Sequence, residues 1–151
     1  MHCFNKDDSS SNIYHIFGEI VKLHFTRSHK LLDKLGIYPG QPPLLFALNC
    51  KDGQSQKELA EKLRIKAATI TVMIGRMEKL GLLTRRQDKQ DQRISRVYLT
   101  EKGRETSEQL RDVMHTLNEE CFSNFTDEET MLLRRLLMQI RDNLIEVTDK
   151  I

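Results

Sequence analysis

Between Ser55 and Gly103 the apolar residues first recur with the spacing of helices and then with that of strands, and this single change restricts the fold more than any other feature. Ser55-Gln56-Lys57-Glu58 has the spacing of a capping box, in which the Ser55 hydroxyl accepts from an orphan amide and Glu58 reaches back to the cap. A helix therefore starts here, with Leu59, Ala60 and Leu63 facing inward and Lys57, Glu61 and Lys62 solvated. Arg64-Ile65-Lys66 breaks the pattern. A second helix is expected from about Ala67 to Leu80, with Ile70, Met73, Ile74, Met77 and Leu80 as its buried stripe and Gly81 as its left-handed C′ residue. Its other face carries Ala68, Thr69, Thr71, Val72, Gly75 and Arg76, mostly short polar or methyl-bearing side chains that allow close approach to a duplex.

After Gly81 the alternation becomes strand-like. Leu82 to Arg86 and Ser95 to Leu99 pair as antiparallel strands around a polar linker from Gln87 to Ile94, forming a wing. Helix-turn-helix plus wing is a layout that sets the second helix in a major groove and leaves the wing tip free for a neighbouring minor groove. The charges agree with it. The chain of 151 residues has a net charge of only +2, yet 12 of its 24 Lys and Arg and only four of its 22 Asp and Glu lie between Lys62 and Arg104. That local excess of eight leaves the remainder at minus six, the footprint of phosphate binding through one region.

Asp91-x-Arg93-x-x-x-Val97-x-Leu99-Thr100-x-x-Gly103, with Arg76-Met77-Glu78-Lys79-Leu80-Gly81-Leu82-Leu83 upstream, resembles the wing and recognition-helix signature of the MarR family of winged-helix regulators. The resemblance covers almost the whole chain. It implies a mainly α fold with a small β-wing: a winged helix-turn-helix lobe over residues 43–100, flanked by N- and C-terminal dimerisation helices over 12–35 and 101–148. It also implies a sequence-specific regulator of transcription, a ligand- or signal-responsive repressor bound as a homodimer to a palindromic operator in double-stranded DNA.

The flanking segments are read from their own patterns. From Asn12 to about Leu35, Ile13, Phe17, Ile20, His24 and Leu31 mark one helical face that Ile16, Leu23 and Leu32 widen, ending near Gly36. Tyr38 to Pro43 is a turn whose prolines suit a first helical turn, so a short apolar helix follows from Pro43 to Asn49 and Lys51-Asp52-Gly53 closes it. Thr100 can cap a helix from Glu101 to about Phe122, and Thr126 to Glu129 is a second capping box opening a last helix with Leu132, Leu133, Leu136, Leu137, Ile140 and Leu144 in register. The apolar faces of the first, fifth and sixth helices lie outside the winged lobe. A second copy of the chain is the economical cover for them, which suits a two-fold dimer on a palindrome.

Length fits one domain, and without an apolar run of about 18 residues or a signal-peptide core in the polar Met1 to Asn12 segment the expected location is cytoplasmic. Cys3, Cys50 and Cys121 form no CxxC or metal spacing and are expected to be reduced, Cys50 and Cys121 as small buried hydrophobes. Cys3, with His2 beside it, is compared with the sensing cysteine of the family's peroxide-responsive branch but stands some ten residues ahead of the first helix. His24, His29 and His115 make no metal pair. There is no phosphate loop, nucleophile elbow or HExxH, so neither an enzyme nor a cofactor is expected.

The resemblance makes Arg93 the wing-tip arginine for the minor groove, with Asp91 orienting its guanidinium through a bidentate pair. It places Thr69, Thr71 and Arg76 where recognition helices contact DNA, while Ala67 and Ala68 stand where many relatives have Pro and Ser, so one hydroxyl contact is missing. Arg85, Arg86, Lys89 and Arg96 are expected to hold phosphates. A pocket for a small apolar or aromatic effector would draw, by position, on His15, Phe17, His24, Phe46, Cys50 and Met114, for each of which core packing is the competing role. Two other assignments share the winged-helix layout: an ArsR-type metal-sensing repressor, which stoichiometric zinc would reveal, and a module for protein association, which absence of salt-dependent DNA binding would reveal.

Overall fold

A computed structural model gives the structure of residues 9–148. In chain order the elements are α1 (Ser9–Asp33), α2 (Pro42–Cys50), β1 (Gln54–Ser55), α3 (Gln56–Leu63), α4 (Ala67–Lys79), β2 (Leu83–Gln87), β3 (Ser95–Leu99), α5 (Glu101–Phe122) and α6 (Asp127–Thr148). No helix among the described residues is long and apolar enough to cross a membrane. The chain forms two compact units that meet within α5, one reaching to Met114 and the other starting at His115.

In the first unit the local signals act as their chemistry requires. Ser55 and Glu58 exchange both capping-box bonds, Glu58 N donating to Ser55 Oγ at 3.2 Å and Ser55 N to Glu58 Oε2 at 2.7 Å. The Ser55 amide first, and the Ser55 side chain after it, hold the Glu58 carboxyl below its ordinary value. Arg64, at φ 52°, ends α3 in the left-handed conformation. At the end of α4, Gly81 N donates to Glu78 O and Leu82 N to Met77 O, the paired bonds of a Schellman cap that need the positive φ of Gly81. α2 is buried along Leu44, Leu45, Ala47 and Leu48 because helices and the sheet surround it. The core joins these to Leu59 of α3, Ile70, Ile74 and Met77 of α4, Leu82 and Leu83 of the β2 approach, and Val97 and Leu99 of β3.

Three differences from the sequence reading have local causes. A third strand exists: β1 pairs with β3 (Gln54 with Val97), and β3 lies between β1 and β2, so the wing rests on a three-stranded antiparallel sheet. Two residues are too short to show alternation. Gln54 is nonetheless buried, its amide donating to Ala47 O and Lys51 O at the end of α2. Leu80, expected in the α4 stripe, is 37 % exposed, because it is the C-cap from which the chain turns away; Leu82 fills the core instead. Cys50 and Cys121, expected to be buried, are both exposed, since each stands in the last turn of its helix where the chain leaves the packed face. The lobe core also extends past residues 43–100 to Leu32, Ile37 and Leu110.

The second unit comprises the end of α5 and all of α6. Thr126 and Glu129 form the second capping box, at 2.9 and 3.2 Å, and Phe122 meets Phe125 edge-on with ring centroids 6.2 Å apart. Leu132, Leu136, Leu137, Ile140 and Leu144 of α6 are all more than 40 % exposed. In the first unit, α1 is likewise uncovered from Ile13 to Phe25 and is buried at Ser28 and Leu32.

Candidate nucleic-acid interface

α4 offers solvent the face anticipated for it. Ile70, Ile74 and Met77 are buried on one side, while Ala68, Thr69, Thr71, Val72 and Arg76 are exposed on the other. Thr71 Oγ1 donates to Ala67 O at 2.8 Å and lies 3.2 Å from Gln56 Oε1 of α3, so its hydroxyl joins the two helices of the motif. Ala68, Thr69, Val72, Met73 and Arg76 form one wall of an open groove of about 500 Å³, and Tyr38, Gly40 and Gln41 the other.

The wing is ordered by carboxylates. Asp88, at the end of β2, accepts from Gln90 N at 2.8 Å and Asp91 N at 3.1 Å with one oxygen and from Arg96 Nε with the other. The Arg96 bond first, and the two amides after it, hold the Asp88 carboxyl down to about 2. With a folded value below the ordinary 3.8, the pair's contribution is complete above that ordinary value and is lost only as pH falls toward 2, so Asp88 is an anion throughout the physiological range. Asp91 then accepts both Arg93 N, at 3.0 Å, and Arg93 Nε, at 3.2 Å, with a single oxygen. The expected bidentate pair is therefore replaced by one oxygen shared between backbone and side chain, because Arg93 is only two residues away and cannot present its fork. The Arg93 side chain is 92 % exposed at the wing tip.

The other basic residues divide. Arg85 pairs with Glu78 of α4 at 2.6 Å, and Arg86 lies over the Tyr98 ring, 5.3 Å from its centroid. Lys89 is exposed in the wing loop. Arg96 turns inward: besides Asp88 it reaches Gly53 O at 2.9 Å and Glu58 Oε2 at 3.6 Å, and the Asp88 carboxylate first, with Glu58 after it, raises its pKa. Asp52 also escaped the sequence reading. It accepts Leu99 N at 3.0 Å and Gly53 N at 3.2 Å and pairs with Arg104 at 2.6 Å, binding the turn after α2 to β3 and to the first turn of α5. An Asp-Gly pair marks such a turn, but its partners some fifty residues on leave no local signal.

The six effector-pocket residues are dispersed. Phe46 and Met114 pack half-buried against the lobe core, Phe17, His24 and Cys50 are exposed, and His15 faces Glu19 at 3.5 Å. None of them lines either of the two grooves described here, the second being that of α5 and α6 around Phe122 and Leu137. His29 sits between the Phe25 and Tyr38 rings, and no group of three or more His, Cys, Asp or Glu among the described residues is placed to hold a metal. Cys3 and His2 lie outside the described residues.

Known proteins share this arrangement. The model of the MarR family matches residues 37–95, from the turn before α2 into β3. The uncharacterized HTH-type transcriptional regulator YdgJ of Bacillus subtilis is 33 % identical over 109 residues, 72 % of this chain and 66 % of that protein. The organic hydroperoxide resistance transcriptional regulator of the same organism is 36 % identical over 93 residues, 61 % of this chain and 63 % of its own length. A solved MarR protein from Peptoclostridium difficile superposes with a TM-score of 0.81 at 28 % identity, covering 95 % of this chain and 94 % of that one. With its winged helix-turn-helix and its relatives in agreement, the chain belongs to the MarR family of DNA-binding transcriptional regulators.

Proposed function

We propose that the protein is a homodimer that binds a palindromic operator and represses transcription until a ligand or signal releases it. The observation that carries the DNA reading is the exposed guanidinium of Arg93, held at the tip of a wing whose β2 strand is tied to α4 through Arg85 and Glu78. α4 enters a major groove with Thr69 and Arg76 toward the bases, and Arg93 enters the adjacent minor groove. Lys89 and the outer faces of Arg85 and Arg86 neutralise phosphates. Dimerisation through α1, α5 and α6 is supported by the apolar faces that α1 and α6 leave uncovered.

The test is selection of a duplex from a random-sequence library by the purified protein, followed by anisotropy titration over a range of salt. Log K is expected to fall with log salt with a slope of several units, and the selected sequence to be an inverted repeat. A flat salt response, or no enriched sequence, leaves the winged helix as a protein-association module. Arg93→Ala is expected to cost about 1–3 kcal/mol of affinity for that duplex with dimerisation unchanged. Undiminished affinity would return Arg93 to an ordinary solvated loop residue.

A further inference from the structure

Arg96 belongs by charge to the phosphate-binding set, yet its surroundings are those of a clamp. Its side chain is only 32 % exposed, and its Nε and Nη1 face Asp88, the Gly53 carbonyl and Glu58. These acceptors come from three places: the end of β2, the turn before β1, and the first turn of α3. Glu58 is itself the returning half of the α3 capping box, so one guanidinium joins the helix-turn-helix to the root of the wing. From there the hydrogen bonds continue outward. Asp88 fixes the amides of Gln90 and Asp91, Asp91 O accepts from Ile94 N at 2.9 Å, and the Asp91 carboxylate fixes both the amide and the Nε of Arg93. A series of contacts, an ion pair to Glu58 at α3 and hydrogen bonds from Arg96 onward, runs from α3 to the wing tip.

We propose that Arg96 and Asp88 are positioning residues for DNA recognition: together they set the angle at which the wing loop presents Arg93, so an acidic residue beside the polyanion strengthens binding to it. The proposal rests on the reading of Arg93 as a DNA contact. Point-charge reasoning gives the opposite sign for Asp88, whose negative charge repels phosphate and whose loss should tighten the complex. The clamp gives weakening, because a loop freed at its root must be ordered again on binding.

The measurement is affinity for the library-selected duplex of wild type, Asp88→Asn, Arg96→Lys, Arg93→Ala and the double variant Asp88→Asn/Arg93→Ala. Asp88→Asn is expected to bind on the order of tenfold more weakly. Arg96→Lys keeps the charge but not the planar fork that reaches several acceptors, and is expected to weaken binding similarly. In the Arg93→Ala background, Asp88→Asn should cost nothing further, since the residue it positions is gone. That last comparison separates positioning from a general loss of folding, which would weaken both backgrounds alike. Wild-type affinity in Arg96→Lys, equal or tighter binding by Asp88→Asn, or equal losses in both backgrounds would each overturn the clamp. Failure of the wild type to select any duplex would overturn the DNA reading instead.

Discussion

Gly103→Ala is expected to lower stability by about 3 kcal/mol and the thermal midpoint by roughly 10 °C, although no side chain is removed. Gly103 is buried in the first turn of α5, where its amide donates to Thr100 Oγ1 at 3.0 Å. A Cβ there would land on the Leu82 carbonyl oxygen, far inside van der Waals contact, and 3.2 Å from Leu99 Cδ2. Neither neighbour can give way cheaply. The Leu82 carbonyl is fixed by Thr100 N at 3.1 Å, and Leu99 lies in the core. Gly75→Ala is the matched control, since nothing lies within 4 Å of a Cβ in the middle of α4; it should leave stability level or raise it by about 0.5–1 kcal/mol. Calorimetry of the two variants decides the matter: if both behave alike, close approach of α5 to the β2 entry is not what requires Gly103.

The second large effect is expected at the proposed dimer seam, where Ile140→Glu should weaken self-association on the order of a hundredfold or more. The choice of Ile140 over Leu137 is electrostatic. Leu137 has Arg134 and Arg141 one helical turn to either side, and both line its groove, so a carboxylate placed there would find a cation. Ile140 has Leu136, Leu137, Asn143 and Leu144 in those positions, and none can neutralise it. Within its own chain Ile140 is 41 % exposed, so the substitution leaves the α5–α6 hairpin little disturbed. In a dimer seam it would bury an unpaired charge. Half-sites of a helix-turn-helix dimer lie about 34–36 Å apart, so the monomer should also lose cooperative binding to an inverted repeat. Sedimentation velocity is the direct check, and a variant that sediments as the wild-type dimer would remove α6 from the interface.

What the sequence revealed and what it concealed differ by range. The capping boxes at Ser55 and Thr126, the Schellman end at Gly81 and the α4 stripe as far as Met77 are written within a few residues of where they act, and each is present in the fold. The wing strands are displaced by one residue at β2, since Leu82 belongs to the cap and the ladder starts with Leu83 opposite Leu99. β1, the Asp52 hub and the inward turn of Arg96 were not legible. Their distant partners are 38 to 52 residues away in sequence, or, for Asp88, depend on which way a loop folds back. Charge counting placed Arg96 correctly in the basic block yet could not tell a guanidinium that faces solvent from one that three acceptors already occupy. The exposed α1 and α6 faces were visible as stripes, because amphipathicity does not depend on what covers it.

The pairing of Gln54 with Val97 closes the chain into a loop that contains α3, α4, β2 and the wing loop. Closing such a loop carries an entropic cost that grows only as the logarithm of its length, but nothing is recovered until the distant strands meet. The β2–β3 ladder has its own local pairs, and the β1 pair adds the tie that holds it to the start of α3. Amide exchange in α4 and in β3 should accordingly follow one common opening, and a chain damaged at Gln54 should lose both reading elements together.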